Sequence, residues 1–452
     1  MIPERIRPVL AAVAPVAERF VDEGHVIYLV GGIVRDLLAG KPLHEGDLDL
    51  TTDASPEQIK AIVGPMAEAL WTQGERFGTI GAFVDGREYE ITTHRGEAYS
   101  PDSRKPQVTF SDDVEVDLSR RDFTVNAMAL HLPEPRLVDP FGGAEDLVAG
   151  RLRTPLSPDE SFTDDPLRML RAARFVAGYG LEPDPDLVRA VARLGDRLAI
   201  VSPERVRQEL DKLLVVHDPS AGLWFLVETG LADEFLPELT DMRLEQDPIH
   251  RHKDVLAHTI AVVAKTSPDR IVRLAALLHD IGKPKTRSIG PGGVSFHHHE
   301  VVGARMARDR MQALRYSNDD TDAVVRLVRL HLRFHTYKMG WTDSAVRRFV
   351  RDAGDQLDQL IELTRCDCTT RNERKARALA RRMDELEARI TELRAAEELA
   401  AIRPDLDGDQ VMVHLGIEPG RVVGEALDML LEARLDEGPL GEQEAYRRLD
   451  VW

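Results

Sequence analysis

Cysteine is almost missing from this chain: Cys366 and Cys368 are the two in 452 residues. That is too few for a disulfide framework, and a reducing cytoplasm is the setting this composition points to. Long apolar runs are missing as well. None approaches the roughly 20 residues that a membrane-spanning helix needs. The N-terminal stretch MIPERIRPVLAAVAPVAERF is broken by Glu4, Arg5, Arg7, Glu18 and Arg19, and reads as an amphipathic helix rather than a signal peptide. Positive charge is in deficit, with a formal net charge of -19. Phosphate neutralisation needs clustered Lys and Arg, so indiscriminate binding to nucleic acid is disfavoured, although a locally basic surface is compatible with an acidic whole. The basic residues present are mostly Arg, which suits bidentate phosphate contacts. Neither internal repeats nor low-complexity tracts occur.

What is present is a globular composition, 43% hydrophobic and 30% charged. The length exceeds one compact core, and about two to four domains are expected. Ile6, Val9, Leu10, Val13, Val16 and Phe20 recur at helical spacing, with Gly24 able to end the helix. Val26 to Val30 predicts a short strand running into Gly31-Gly32 and a second helix, IVRDLLAG. Strand signals follow at Leu48–Thr52, Gly78–Val84, Tyr89–Thr93 and Arg136–Val138, so the region to about residue 150 is expected to be α/β. From Asp164 onward amphipathic helical patterns dominate, including DPLRMLRAARFVAGY, PERVRQELDKLLVV, RIVRLAALLHDI and a long charged helix from Arg374 to Glu398. The polar stretch between Arg95 and Val116, rich in Gly, Pro, Ser and Asp, reads as a mobile loop.

Three groups in the first third carry chemistry. Gly31-Gly32, between a buried strand and a helix start, lets a phosphate approach the backbone where free N–H groups and the helix dipole favour an anion; an ordinary tight turn would look the same. In GDLDLTT, Asp47 and Asp49 alternate with Leu48 and Leu50, so both carboxylates share one strand face. Neighbouring carboxylates repel unless a cation neutralises them, and this is an arrangement for two Mg²⁺, with Glu90 available as a third carboxylate. A polar edge strand is the plainer alternative. Arg120 and Arg121 suit a triphosphate, while Asp122 and Asn126 could hydrogen-bond a ribose; alternatively Asp122 caps a helix between solvated arginines.

Taken together, LVGGIVRDLL, GDLDLTT, the EITTHR strand, DLSRRDFTVNAMAL, DPFGG, DDPLRMLRAARF and PERVRQEL resemble, in order and spacing, the tRNA nucleotidyltransferase and poly(A) polymerase family, in its bacterial-type class of CCA-adding enzymes. The resemblance runs densely from about Val26 to Leu214. It implies a polymerase-β-like head with Asp47 and Asp49 as metal ligands and Arg120, Arg121, Asp122 and Asn126 around the incoming nucleotide; Gly31, Gly32 and Arg35 join the expected nucleotide site and Glu90 the expected catalytic set.

Asp165 and Arg168 lie three residues apart and can share a helix face. Cytosine and adenine both present an exocyclic amine beside an unprotonated ring nitrogen; uracil and guanine present a carbonyl beside a ring N–H. An acceptor–donor pair therefore matches C and A and leaves groups unpaired against U and G, at about 1–3 kcal/mol each. Asp165 before Pro166 also fits a helix cap with proline at the first position. The resembling family carries an E-D-x-x-R motif for base selection here. Asp165 and Arg168 match it, Arg171 and Arg174 follow on the same helix, and Asp164 stands where Glu is usual.

Further on, His279-Asp280 ends an apolar helix, with His258 before it and His299, His331 and Asp367 after it. Imidazoles and carboxylates suit a divalent metal that activates water or polarises a phosphoryl oxygen. The set resembles the HD phosphohydrolase superfamily, whose H…HD…D ligands map onto His258, His279, Asp280 and Asp367, with His299 and His331 matching histidines of a fuller site. A degenerate HD scaffold is the alternative. Cys366 and Cys368 flank Asp367 and read as core thiols, not a zinc ribbon.

The expected architecture is multidomain α/β plus all-α: a nucleotidyltransferase head over residues 1-150, a helical neck over 151-245 with the base-selecting helix, an HD-like domain over 246-370 and a helical tail over 371-452. The expected activity is template-independent addition of C, C and A to tRNA from CTP and ATP, with Mg²⁺ in the head and a divalent metal in the HD site. A poly(A) polymerase on the same scaffold, an HD phosphohydrolase with a regulatory nucleotide-binding head, and a non-enzymatic RNA-binding scaffold are the competing readings.

Overall fold

The computed structural model describes residues 6–41, 48–100, 103–244, 254–290, 293–336, 341–368, 373–397 and 402–452, of which 97–100, 103–107 and 336 by backbone alone. Two compact units divide the chain, Met1–Phe235 and Leu236–Trp452. The expected boundaries at 245 and 370 fall outside the described residues.

The first unit is built on a seven-stranded sheet. Its strands are β1 Ile27–Val30, β2 Leu48–Thr52, β3 Ala69–Trp71, β4 Thr79–Val84, β5 Arg87–Thr93, β8 Ala129–Leu132 and β9 Arg136–Val138, and β6 Arg95–Ser100 and β7 Ser103–Phe110 form a separate hairpin. The order is β3-β4-β5-β2-β1-β8-β9. β2 and β5 run parallel and the remaining pairs are antiparallel. All four residues of β1 are buried, as an uninterrupted apolar run in a central strand requires. The helix Arg7–Asp22 turns Val9, Val13, Val16, Ala17 and Phe20 inward, and these join Leu29, Leu50, Ile59, Ile80 and Ile91 in one core. Burying each such side chain contributes about 1.5–3 kcal/mol, which fixes the sheet on which the polar residues ride.

One expectation fails here. The stretch from Arg95 to Val116 is not a loop but the β6–β7 hairpin followed by the start of the helix Val114–Ser119. Its Pro, Ser and Asp content hid a terminal run, Gln107 to Phe110, that contains the strand formers Val108, Thr109 and Phe110.

After the sheet the unit becomes helical. Leu167–Tyr179 buries Leu167, Met169, Leu170, Ala172, Ala173 and Phe175, and packs against Pro203–Leu214 and Ser220–Glu228. In the second unit the helices Val255–Lys265, Arg270–Leu278, His299–Ala313, Asn318–Leu330 and Leu357–Asp367 pack together. The long helix Glu373–Ala396 follows, then Gly408–Leu415, Arg421–Glu437 and Glu442–Leu449 around Val411, Ala426, Leu430 and Leu449. Among the described residues no helix is long and apolar enough to cross a membrane.

Candidate active site and metal centre

In the first unit, β1 ends at Val30 and the chain turns through Gly31 into the helix Gly32–Ala39. Gly31 has φ 79°, a left-handed conformation that side chains resist. A Cβ there would stand 3.2 Å from an Arg121 Nη1 and 3.3 Å from Asp49 Oδ2. The turn, the β2 carboxylate and one arginine of the Arg-Arg pair therefore converge. Asp49 is paired in register with Glu90 of the parallel strand β5, which places both carboxylates on the same face of the sheet. Glu90 is exposed there and Asp49 half-buried. Asp47 lies outside the described residues.

The two arginines diverge. Arg120 donates to the fully buried Asp117 through Nε at 3.0 Å and Nη2 at 2.6 Å, whereas Arg121 reaches Asp117 only at 3.3 Å and turns its other nitrogen towards Gly31 and Asp49. Burial opposes charge on Asp117, yet the two guanidiniums hold its carboxyl below the usual range. Asp117 went unassigned in the sequence reading. Its spacing of three and four from Arg120 and Arg121 within a helical turn was the available signal.

Behind this sits a continuous network. Arg35 donates through Nη1 to Asn126 Oδ1 at 2.7 Å, binds its neighbour Asp36, and lies over the ring of Tyr179 at 4.1 Å. Asn126 Nδ2 donates to Asp122 Oδ1 at 2.9 Å. Arg171 donates to Asp122 Oδ2 from Nε at 2.8 Å and Nη2 at 2.5 Å. Burial alone would raise the Asp122 carboxyl, but Arg171 and the Asn126 hydrogen bond bring it down to about 2. Glu209 continues the chain, accepting from Arg174 at 2.9 Å and standing 3.8 Å from Arg171 and 3.5 Å from Lys212. A nearly buried carboxylate serving three cations is a neck residue the sequence reading passed over; its place among Val206, Leu210 and Leu213 was the clue.

Asp165 closes the preceding helix Pro158–Asp164 in extended backbone and lies outside Leu167–Tyr179, so it does not share a helix face with Arg168 as expected; its Oδ1 accepts from the Leu167 N–H at 3.2 Å. Arg168 is buried and donates to Ser161 Oγ at 2.9 Å and to the Arg120 carbonyl. The backbone of the Arg-Arg pair and the expected base-selecting arginine are thus in direct contact. Of the expected residues, Gly31, Asp49, Arg121 and Glu90 gather at the sheet surface, while Arg35, Asn126, Asp122, Arg171 and Arg174 form the tie behind it.

The second unit holds a cluster drawn from five helices. His258 lies within Val255–Lys265; His279 and Asp280 follow Arg270–Leu278; His299 opens His299–Ala313; His331 follows Asn318–Leu330; Asp367 closes Leu357–Asp367. His258 Nε2 is 2.9 Å from Asp367 Oδ1 and 3.6 Å from Asp280 Oδ2. His279 Nε2 is 3.1 Å from Asp280 Oδ2, and on the other oxygen of Asp280 lie His299 at 3.3 Å and His331 at 3.9 Å. Two overlapping groups result, His258–His279–Asp280 and Asp280–His299–His331.

Gly282 makes this packing possible, since a Cβ there would meet the His299 carbonyl at 2.2 Å and Gly303 N at 2.7 Å. His298 takes φ 62° to start the helix at His299.

The donor chemistry fits a metal. Nδ1 of His279, His299 and His331 each face a carbonyl three residues back, Ala276, Phe296 and Val328, at 2.7, 2.8 and 2.7 Å. A carbonyl only accepts, so each Nδ1 carries a proton, which leaves Nε2 as the atom of each ring that can offer a lone pair inward once it is deprotonated. Those three Nε2 atoms are buried without a hydrogen-bond partner, an arrangement that makes sense for ligands. Burial would lower the His279 pKa, but Asp280 and Asp367 carry it up to about 10, so its Nε2 holds a proton that a bound cation would displace; His331, desolvated beside His279, drops to about 4 and keeps its Nε2 lone pair. Lys283, unassigned in the sequence reading although it follows Asp280 by three, donates to Asp280 Oδ2 at 2.6 Å.

These features define a nucleotidyltransferase head with helical extension and an HD-type unit. Comparison with known proteins agrees. The family model for the poly A polymerase head domain matches residues 27–153, that for the probable RNA and SrmB-binding site of polymerase A matches 180–243, and the HD domain matches 255–393. An A-adding tRNA nucleotidyltransferase from Deinococcus radiodurans is 34% identical over 94% of this chain and 95% of its own. A CCA-adding enzyme from Geobacillus thermodenitrificans is 39% identical over 48% of this chain and 52% of its own. The crystal structure of the Bacillus stearothermophilus CCA-adding enzyme with CTP superposes with a TM-score of 0.70 at 25% identity, covering 100% of this chain and 98% of that one. The chain belongs to the tRNA nucleotidyltransferase and poly(A) polymerase family, with an HD domain behind the head.

Proposed function

We propose that this enzyme extends tRNA 3′ ends without a nucleic-acid template, adding C, C and A from CTP and ATP. The observation that carries the reading is the convergence of Asp49, Gly31 and Arg121, with the buried Asp122–Arg171 pair tying this surface to the helix that bears Arg168 and follows Asp165. In the reaction the RNA 3′-hydroxyl gives its proton to solvent, its oxygen forms a bond to the α-phosphorus, the bond from that phosphorus to the bridging oxygen of the β-phosphate breaks, and pyrophosphate leaves. Mg²⁺ held by Asp47 and Asp49, with Glu90 in register with Asp49, would neutralise the triphosphate and lower the pKa of the attacking hydroxyl. Gly31 and Gly32 give the phosphates access to backbone N–H groups, and Arg121 supplies charge on the same side. Arg35, Asn126, Asp122, Arg171 and Arg174 hold the walls, while Arg120 acts through Asp117. Asp165 and Arg168 read the base edge, Arg168 braced by Ser161 and the Arg120 carbonyl.

A second reading, addition of A alone, is favoured by one observation: the relative matched over almost the whole chain is an A-adding enzyme. Labelled CTP and ATP, separately and together, offered to tRNA ending at the discriminator base and to tRNA ending in CC, decide between them. C incorporation on the first substrate, lost in Asp49→Ala, supports CCA addition. A incorporation on the second substrate alone assigns A addition, and long A tails a poly(A) polymerase.

For the second unit we propose a divalent-metal phosphoesterase in which His258, His279, Asp280, His299, His331 and Asp367 hold the metal, acting on a 2′,3′-cyclic phosphate or 3′-phosphate of damaged tRNA ends. Metal-stimulated hydrolysis of a 2′,3′-cyclic nucleotide, lost in His279→Ala with nucleotide transfer intact, tests it. The division into head 1-150, neck 151-245, HD domain 246-370 and tail 371-452, and a cytoplasmic setting, complete the proposal; the matches over 27–153 and 180–243 support the first two parts, and the HD match over 255–393 supports the third while running on into the proposed tail.

A further inference from the structure

Across the first unit's sheet, strand register lines up four residues on one face. Trp71 of β3 is opposite Gly81 of β4, Gly81 is opposite Glu90 of β5, and Glu90 is opposite Asp49 of β2. Directly opposed residues project from the same side of a sheet. An aromatic side chain therefore shares the catalytic face with both carboxylates, separated from them only by a glycine. The indole occupies the space that glycine leaves: a Cβ on Gly81 would stand 1.9 Å from Trp71 Nε1. With strands about 4.8 Å apart, the ring over Gly81 lies about 5 Å from the Glu90 strand and about 10 Å from the Asp49 strand.

A cavity of about 410 Å³ opens at this point, lined by Trp71, Gly74, Phe77, Gly81, Glu90 and Arg95, among others, a size in the range of small-molecule sites. Neither Trp71 nor Phe77 belongs to the hydrophobic core beneath the sheet. Two half-buried aromatic rings outside the core, beside a cation and next to catalytic carboxylates, match what a nucleoside needs: a π surface for the base, and positive charge for the phosphate on its 5′ side.

We propose that this cleft seats the 3′-terminal nucleoside of the acceptor RNA, its base stacked on Trp71 and its ribose directed towards Glu90 and Asp49. Trp71 is then a positioning residue that sets the distance between the 3′-hydroxyl and the nucleotide. The inference rests on the transferase reading above. It differs from base selection, which concerns the incoming nucleotide on the other side of Asp49.

The test uses the full chain and an acceptor tRNA with 2-aminopurine at its 3′ terminus. Binding quenches the probe in the wild type and in Trp71→Phe, and not in Trp71→Ala or Gly81→Ala, where the platform is missing or displaced. In steady state Trp71→Ala raises KM for tRNA about tenfold, the scale of one lost stacking contact, and leaves KM for CTP and ATP within about twofold. Melting temperatures equal to the wild type exclude unfolding as the cause. Unchanged quenching and unchanged KM for tRNA in Trp71→Ala would overturn the proposal while leaving the transferase reading intact. A rise confined to KM for the nucleotides would overturn it too, by moving the incoming base into this cleft. If the wild type transferred no nucleotide, the transferase reading would fall, and the quench would still report whether the cleft takes the RNA end.

Discussion

Asp122→Asn probes the tie between the head and the helix that reads the base. The carboxylate accepts two hydrogen bonds from Arg171, at 2.8 and 2.5 Å, one from Asn126 at 2.9 Å and one from the Phe123 N–H at 2.9 Å. A carboxamide has one acceptor oxygen, so its NH₂ must face either Arg171 or Asn126, donor against donor. Breaking a buried ion pair from one side costs about 3–5 kcal/mol. Arg171 is 32% exposed and keeps Glu209 at 3.8 Å, which brings the expectation to about 2–3 kcal/mol. For a unit the size of Met1–Phe235 that corresponds to a fall of about 4–12 °C in the melting temperature of its transition, read by calorimetry. Because Asn126 passes the disturbance to Arg35, KM for both CTP and ATP rises in parallel. A fall below about 1 °C with unchanged KM would refute the idea that Asp122 carries the tie.

The same carboxyl sets a pH dependence. Its folded-state pKa is depressed to about 2 from 3.8, so its stabilisation is complete above the unfolded value and lost as pH falls through the folded one; the urea midpoint of the wild type drops between about pH 4 and about pH 2 more steeply than that of Asp122→Asn. Gly31→Ala must force an alanine to φ 79° and ψ -145°, a region open essentially to glycine, against Asp49 and Arg121, costing about 1–3 kcal/mol, and transfer falls with it; wild-type kcat in the variant would contradict the convergence described. His331→Ala removes one buried Nε2 donor from the second unit, and elemental analysis after dialysis shows less bound divalent metal while CTP transfer is unchanged; retained metal would separate His331 from the ligand set.

The motif residues were legible because each sits in a short segment whose period and punctuation are local. β1 running into Gly31 and Asp49 within an alternating strand lie where their segments predict, whereas Asp165 falls in extended backbone between two helices and not on the helix of Arg168. Partnerships across the fold were not legible. That Glu209 would bind Arg171 and Arg174 depends on how Pro203–Leu214 packs on Leu167–Tyr179, and that Arg168 would reach the Arg120 carbonyl spans 48 residues of chain. The β6–β7 hairpin was misread because turn formers outnumbered strand formers until the final residues. In the second unit the expected ligand set follows from the resemblance to the HD superfamily, but the carbonyls that orient three of its rings, Ala276, Val328 and Phe296, come from two helix ends and the end of a strand, and sequence says nothing about where those ends point.

The row from Trp71 to Asp49 also makes catalysis a matter of strand alignment. β4 and β5 are joined by Asp85 and Gly86, both left-handed, with φ 49° and 74°, a two-residue turn that brings Val84 opposite Arg87. Because side chains alternate, a slip of one residue at that tip would send Glu90 to the buried face and turn Ile91 outward, dismantling the acid pair and the aromatic seat together. The tip, four positions before Glu90 along the chain, thus works as the phase reference for the whole site. A family member that gained or lost one residue there would keep every motif and lose the geometry that joins them.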